Sequence, residues 1–199
     1  MSKKEKVIPT NLSISILEEE IKREKYKSKY TKILRSTIYA LIIIASISAL
    51  IGTFIMPVLE VNNTTMKPLL ENNEIVLSLK TKKLKQGDII AFYQGNKILI
   101  KRVVAVPGNY ISIDEEGNVY VDGKVLDEPY VTNKQKGETN IEFPYQVPDS
   151  EYFVLSDERD KTNDSRNEDI GLIKKDNVIG KVIFRVWPFK KLGANNIKI

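Results

Sequence analysis

Hydrophobic and polar positions divide the chain into three parts. Residues 1–35 are charged and polar, whereas residues 36–59 form a run of 24 positions without a charged side chain. As a helix, this run would extend about 36 Å at about 1.5 Å per residue, enough to cross a hydrocarbon core of about 30 Å. After Pro57, short β-prone runs alternate with turn signals. The pattern predicts a basic tail (1–35), a transmembrane anchor (36–59) and one β-domain (60–199).

Within the third part, β-branched and aromatic residues cluster in short stretches. Asp122-Gly123 is a hairpin turn signal, and Pro129, Pro144 and Pro148 interrupt regular structure in the middle of the domain. The stretches predict seven strands, namely Ile75–Leu79, Asp88–Tyr93, Ile98–Val106, Tyr110–Ile113, Val119–Val121, Tyr152–Leu155 and Val178–Val186. The expected fold class is therefore mostly β, with a single N-terminal transmembrane helix followed by an antiparallel β-domain.

The positive charge of the chain lies on one side of the apolar run. The formal net charge is +5, and residues 1–35 hold ten basic and five acidic residues, so the whole excess precedes the run. This is the pattern of a membrane flank and gives no reason to expect a nucleic-acid partner. The positive-inside rule places residues 1–35 in the cytoplasm and residues 60–199 outside the cell membrane, in a single pass.

Two other interpretations of the apolar run are less favoured. A run of 24 residues that is apolar on all faces is too long for a buried helix of a globular core. A cleaved signal peptide would have a shorter charged region and a shorter apolar run. An uncleaved signal anchor fits both features.

The chain contains no histidine and no cysteine. A Ser-His-Asp triad, a Cys-His pair and a zinc site with histidine ligands are therefore excluded as catalytic devices. The remaining route to an activated nucleophile is a hydroxyl beside a lysine that has lost its proton. We expect no metal and no cofactor.

Two segments could supply that pair. Thr65 directly follows the apolar run, and Lys101 lies in a strand whose alternation puts Lys101 and Arg102 on opposite faces among apolar neighbours. We expect one of these two cations to lie in an apolar setting, where a lysine loses its proton more readily and an arginine stays charged. Taken alone, each segment also fits a bland interpretation, a structural threonine before a turn proline and a lysine on an exposed strand face.

Five ordered motifs resemble the bacterial type I signal peptidases, membrane-bound Ser/Lys proteases that release exported proteins. The resemblance covers essentially residues 36–190. The motifs are Thr65-Met66-Lys67-Pro68, Gly87-Asp88-Ile89-Ile90, Lys101 to Asn109, Ser156 to Arg166, and Ile179-Gly180-Lys181 with Val186-Trp187-Pro188.

The resemblance implies a role for each matching residue. Thr65 takes the position of the family's serine nucleophile, and Lys101 that of its general base. Asn63 would help to hold the oxyanion, and the Thr162 hydroxyl would orient the lysine amine. The remaining expected residues are Asp164 and Arg166, which would brace the loop, and Met66 and Pro68, which would line the substrate groove. The implied partners are signal peptides of exported preproteins, the lipid bilayer and the secretion machinery.

The departures from the family pattern favour an alternative of another class. Threonine replaces the serine nucleophile, Ser156 replaces a glycine in a tight turn, and Glu158 adds a negative charge that would hold Lys101 protonated if it came close. The alternative is a weak or inactive signal-peptidase-like factor that assists the assembly of secreted surface proteins such as pilins. A plain membrane-anchored β-domain with chance motif matches is a third, remote interpretation.

Overall fold

The computed structural model describes residues 14–62, 64–81 and 83–193. The chain divides into two units, Met1–Ala49 and Leu50–Ile199. Helix α1 spans Ile14–Phe54 and so continues from the charged flank into the apolar run without a break.

Helix α1 is long and apolar enough to cross a membrane by length and composition. Its large apolar side chains are exposed, for example Leu41 at 61% and Ile44 at 61%. Within the charge-free stretch, the hydroxyls of Thr37 and Ser46 donate to the carbonyls of Ile33 and Ile42, at 3.0 and 2.8 Å. The helix thus satisfies these polar side chains internally, as a hydrocarbon environment requires.

Eleven strands follow among the described residues, in two antiparallel sheets. The seven-stranded sheet has the order β1-β2-β11-β3-β4-β9-β10, and the four-stranded sheet has the order β7-β6-β5-β8. The strands are β1 (Val58–Glu60), β2 (Ile75–Leu79), β3 (Ile89–Gln94), β4 (Lys97–Ala105), β5 (Tyr110–Ile113), β6 (Val119–Val121), β7 (Lys124–Val125), β8 (Tyr145–Gln146), β9 (Glu151–Leu155), β10 (Ile173–Lys174) and β11 (Val178–Trp187). The expected mostly β fold with one N-terminal helix is confirmed.

The seven expected strands are present, with ends within one residue of those predicted. The predicted hairpin at Asp122-Gly123 joins β6 and β7, and Asp122 adopts a positive φ of 51° beside Gly123 at 75°. Three short strands were not foreseen, β1, β8 and β10. Each pairs through two or three residues, which is too short for a period-2 pattern to register in the sequence.

Strand β4 is the element that organises the site. It pairs with β3 along Lys97–Arg102 and with β9 from Arg102 to Ala105. Seven of its nine residues are buried, from Leu99 to Ala105. Ile100 packs in one core cluster with Met66 and Leu70, so the core ties β4 to the segment that carries Thr65.

Candidate active site

A short turn after β1 positions Thr65. The Leu70 amide donates to the Met66 carbonyl at 2.8 Å, and both side chains are fully buried. The carbonyl of Thr65 accepts a 3.0 Å hydrogen bond from the amide of Glu158. Thr65 is therefore held from two directions, by apolar packing of its own turn and by the backbone of a distant loop.

The amine of Lys101 lies beside two hydroxyls. Its Nζ donates to Thr65 Oγ1 at 2.6 Å and to Ser156 Oγ at 2.9 Å. Lys101 is 0% exposed, and in the described part of the chain its amine forms no ion pair. A buried lysine with only hydroxyl partners is the arrangement in which the neutral amine is accessible near neutral pH.

Burial is the main cause of the perturbed pKa of Lys101. It lowers the pKa from 10.5 to about 8, because the ammonium loses its hydration. The charge of Asp164 raises the pKa in part, Arg166 lowers it, and Asp157 raises it. From the sequence, Glu158 was expected to hold Lys101 protonated if it came close. Among the described residues, Glu158 is not one of the charges that shift the pKa of this amine.

The loop after β9 supplies a buried ion pair next to Ser156. Asp164 accepts two hydrogen bonds from Arg166, each at 2.8 Å, and one from the amide of Ser156 at 2.9 Å. Burial alone would raise the pKa of Asp164, but the bonds from Arg166 and Ser156 outweigh it and lower the pKa. Asp164 is therefore an anion that fixes Ser156.

Arg102, the next residue on β4, has partners of a different kind. Its guanidinium donates to both carboxylate oxygens of Asp157, at 2.8 and 2.6 Å, and lies 3.8 Å from the ring centroid of Tyr130. Burial would lower the pKa of Arg102, but the hydrogen bond and charge of Asp157 raise it. We expected one of the two cations to be buried, and the structure buries both.

The structure separates the expected site residues into those it brings together and those it does not. Thr65, Lys101, Asp164 and Arg166 lie in one connected network. Asn63 lies outside the described residues, so its expected place at the oxyanion stays a prediction. Met66 packs in the core rather than in a groove, since it is fully buried.

Pro68 and Thr162 complete this comparison. Pro68 is exposed and lines a cavity of about 320 Å³ together with Lys67 and Glu158. Thr162 was expected beside the lysine amine, but the structure places the Ser156 hydroxyl there. A Cβ built on Gly137 would lie 2.6 Å from Thr162 Cγ2, so the methyl of Thr162 is directed at the Gly137 backbone. Among the described residues, Lys101 has no hydrogen bond to Thr162.

Sequence reasoning missed three contributors. Ser156 was treated only as a bulky residue in a turn, although it contacts the amine. Tyr130 stacks on Arg102, and Glu128 forms a buried ion pair with Arg159. Glu128 and Tyr130 lie in a segment without regular structure, where no periodic pattern marks a buried side chain. The only available signal in the sequence was Glu128-Pro129-Tyr130, in which an acidic residue and an aromatic residue flank a proline.

A buried hydroxyl in contact with a lysine whose amine can lose its proton is the arrangement of a serine-type peptidase that uses lysine as its base. Comparisons with known proteins agree with that class. The model of the family described as signal peptidase, peptidase S26, matches residues 34–187. The chain belongs to this family, and the resemblance seen in its motifs is confirmed.

Two relatives in sequence give the same result. The chain is 33% identical over 166 residues to signal peptidase IB of Staphylococcus aureus strain Mu50, covering 73% of this chain and 85% of the relative. It is 30% identical over 183 residues to signal peptidase I of Bacillus amyloliquefaciens, covering 86% and 98%. A crystal structure of a signal peptidase I from Enterococcus faecalis aligns with a TM-score of 0.43 and 27% identity, covering 51% of this chain and 98% of that one.

Proposed function

We propose that this chain is a membrane-anchored endopeptidase that removes signal peptides from exported preproteins, with Thr65 as nucleophile and Lys101 as general base. The observation that carries the proposal is the 2.6 Å contact between Lys101 Nζ and Thr65 Oγ1 in a buried setting. A neutral amine at that distance can accept the hydroxyl proton as the oxygen attacks a carbonyl. Membership of the family supports the substrate class.

The reaction proceeds in two halves. Thr65 Oγ1 adds to the carbonyl carbon at the end of the signal peptide while its proton passes to Lys101 Nζ. The intermediate collapses, the C–N bond breaks, and the ammonium of Lys101 gives its proton to the leaving amine. Water then attacks the resulting ester, again with Lys101 as base, and releases the signal peptide and Thr65.

Two groups are proposed to hold the oxyanion, the backbone N–H of Thr65 and the side chain of Asn63. Threonine brings a restriction that serine lacks, because its methyl limits χ1. In the structure the Thr65 hydroxyl already lies 2.6 Å from the Lys101 amine. The β-branched nucleophile is thus compatible with the proposed attack.

The edge of β4 supports binding of an extended substrate. Its partner β9 reaches only as far as Arg102, so among the described strands Lys97–Lys101 pairs with β3 alone. A peptide added at that edge would run toward Lys101 by β-strand addition. Pro68 remains a candidate for contact with the substrate because it is exposed and lies three residues after Thr65.

Orientation follows from the charge of the amino-terminal flank. Residues 1–35 are proposed to lie in the cytoplasm and the β-domain outside, so that the site faces preproteins as the secretion machinery delivers them across the lipid bilayer. Helix α1 supports this arrangement by its length and composition.

Cleavage of a purified preprotein by the full chain in detergent micelles tests the proposal. We expect wild-type protein to release the signal peptide, and Thr65→Ala and Lys101→Ala to lose at least about 100-fold in kcat/KM. Lys124→Ala is the control, since Lys124 is an exposed lysine on β7 in the four-stranded sheet, away from the β4 edge. Equal activity of wild type and both active-site variants would contradict the mechanism.

The alternative, a weak or inactive assembly factor, is not favoured, because a binding protein has no need for a buried lysine in contact with a hydroxyl. Thr65→Ser separates the two functions. A change of less than about tenfold in kcat/KM is expected for a working threonine. A much larger gain would show that the native site is attenuated.

A further inference from the structure

The Lys101 amine has a second hydroxyl partner that the resemblance did not assign. We propose that Ser156 is the residue that positions this amine, in the place expected for Thr162, and that it does so as part of a chain running from Arg166 through Asp164. This inference rests on the proposed Thr65/Lys101 mechanism. Ser156 is a positioning residue here, because it acts on Lys101 and not on the substrate.

The directions of the hydrogen bonds give the reason. A neutral amine has two N–H bonds and one lone pair. When one N–H points to Ser156 Oγ at 2.9 Å, the lone pair can face Thr65 Oγ1 at 2.6 Å. Without an acceptor at Ser156, the amine could rotate and present an N–H to Thr65 instead of its lone pair. In that orientation the amine cannot remove the Thr65 proton.

Asp164 fixes the backbone of Ser156. Its pKa is lowered, so its carboxylate is ionised and only accepts hydrogen bonds. The amide of Ser156 donates to the same carboxylate at 2.9 Å. The anion thus fixes the backbone of Ser156, from which the hydroxyl reaches Lys101 Nζ.

Arg166 makes this anchor rigid. Besides its two bonds to Asp164, it donates to the carbonyls of Lys136, Arg159 and Lys161, at 3.0, 2.9 and 2.8 Å. Arg166 and Asp164 are both fully buried. A planar guanidinium held at five acceptors leaves Asp164, and therefore Ser156, little freedom to move.

Thr162 has a different environment. It is half-buried, and its methyl is directed at the backbone of Gly137. Ser156 is 0% exposed and lies one residue beyond the end of β9, the strand that pairs with β4. The hydroxyl next to Lys101 thus comes from the start of the loop, six positions before the one that the family pattern indicates.

Variants at Ser156 and at Thr162 test this inference. Ser156→Ala removes the acceptor, and Thr162→Val removes a hydroxyl while keeping the methyl against Gly137. For each, kcat is measured across pH, and the titration of Lys101 is followed independently by NMR of the lysine side chain in the full-length protein. The resonance is assigned by its loss in Lys101→Met. Ser156→Gly serves as a second variant without the hydroxyl, and both replacements are smaller than serine, so neither overfills the site.

We expect Ser156→Ala to lower kcat at its high-pH plateau by about 10- to 100-fold, with KM little changed. We also expect a lower Lys101 pKa, because the ammonium loses an acceptor. A merely loosened structure would admit water and move the pKa upward instead. Thr162→Val should change kcat less than twofold.

Two outcomes would overturn the inference. In the first, Ser156→Ala and Ser156→Gly keep the wild-type kcat at high pH and the wild-type pKa of Lys101. In the second, kcat falls in Thr162→Val alone. Failure of the proposed function looks different. If the wild-type protein cleaved no preprotein, kcat could not be compared between variants. The NMR titration of Lys101 would still report whether Ser156 or Thr162 holds the amine.

Discussion

Lys101 and Arg102 are adjacent cations on one strand, equally buried, with opposite chemistry. Lys101 meets two hydroxyls and its pKa is lowered to about 8, whereas Arg102 meets the carboxylate of Asp157 and its pKa is raised. Burial is thus common to both, and the partner decides the outcome. A cation given an anion becomes a structural element, and a cation given neutral acceptors becomes a base.

The largest expected effect is on the structural cation. Arg102→Met leaves Asp157 buried without its partner, and we expect the free energy of unfolding to fall by about 3–5 kcal/mol. Chemical denaturation of the full chain in micelles measures it. The double variant Arg102→Met with Asp157→Leu removes both charges and should recover most of the loss. A double variant as unstable as the single one would show that the ion pair is not the cause.

Replacing Lys101, the reactive cation, is expected to raise the free energy of unfolding. At pH 7, Lys101→Met should raise the free energy of unfolding by about 3 kcal/mol, because the native protein buries an ammonium whose pKa is below that of the unfolded chain. The unfolded state binds more protons between about pH 8 and 10.5, so wild-type stability rises with pH across that window. The advantage of the variant should therefore shrink there. An advantage that is constant with pH would contradict the lowered pKa.

The pH dependence of cleavage gives a smaller but direct measure. Since only neutral Lys101 accepts a proton, kcat/KM should rise about tenfold per pH unit below pH 8 and level off above it. Initial rates from pH 6 to 10 with one preprotein are sufficient. A profile that is flat between pH 6 and 9, in an active enzyme, would mean that Lys101 is not the group that titrates.

The smallest effect concerns the ring on Arg102. Tyr130→Leu removes the cation–π contact and the hydroxyl bond to Glu128, whereas Tyr130→Phe removes only the bond. The difference in unfolding free energy between the two variants isolates the ring, and we expect about 1 kcal/mol. Equal stability of the two variants would show that the ring contributes nothing beyond packing.

The sequence predicted the long strands well, because their length lets alternation and turn signals register. It predicted that Thr65 and Lys101 belong together through the resemblance, and the structure brings them within 2.6 Å. For the second hydroxyl beside the amine it indicated Thr162, whereas the structure has Ser156 there. A motif fixes the order of residues along a loop, whereas the contact between Ser156 and Lys101 depends on how the loop folds back onto Asp164 and Arg166.

Helix α1 also has a mechanical consequence. Its charged part, residues 14–35, is continuous with the apolar part and extends about 33 Å at about 1.5 Å per residue. If the apolar part spans the bilayer as proposed, Lys32 and Arg35 lie near the lipid headgroups and the rest of this stalk extends into the cytoplasm. Each residue removed from this part would shorten the stalk by about 1.5 Å.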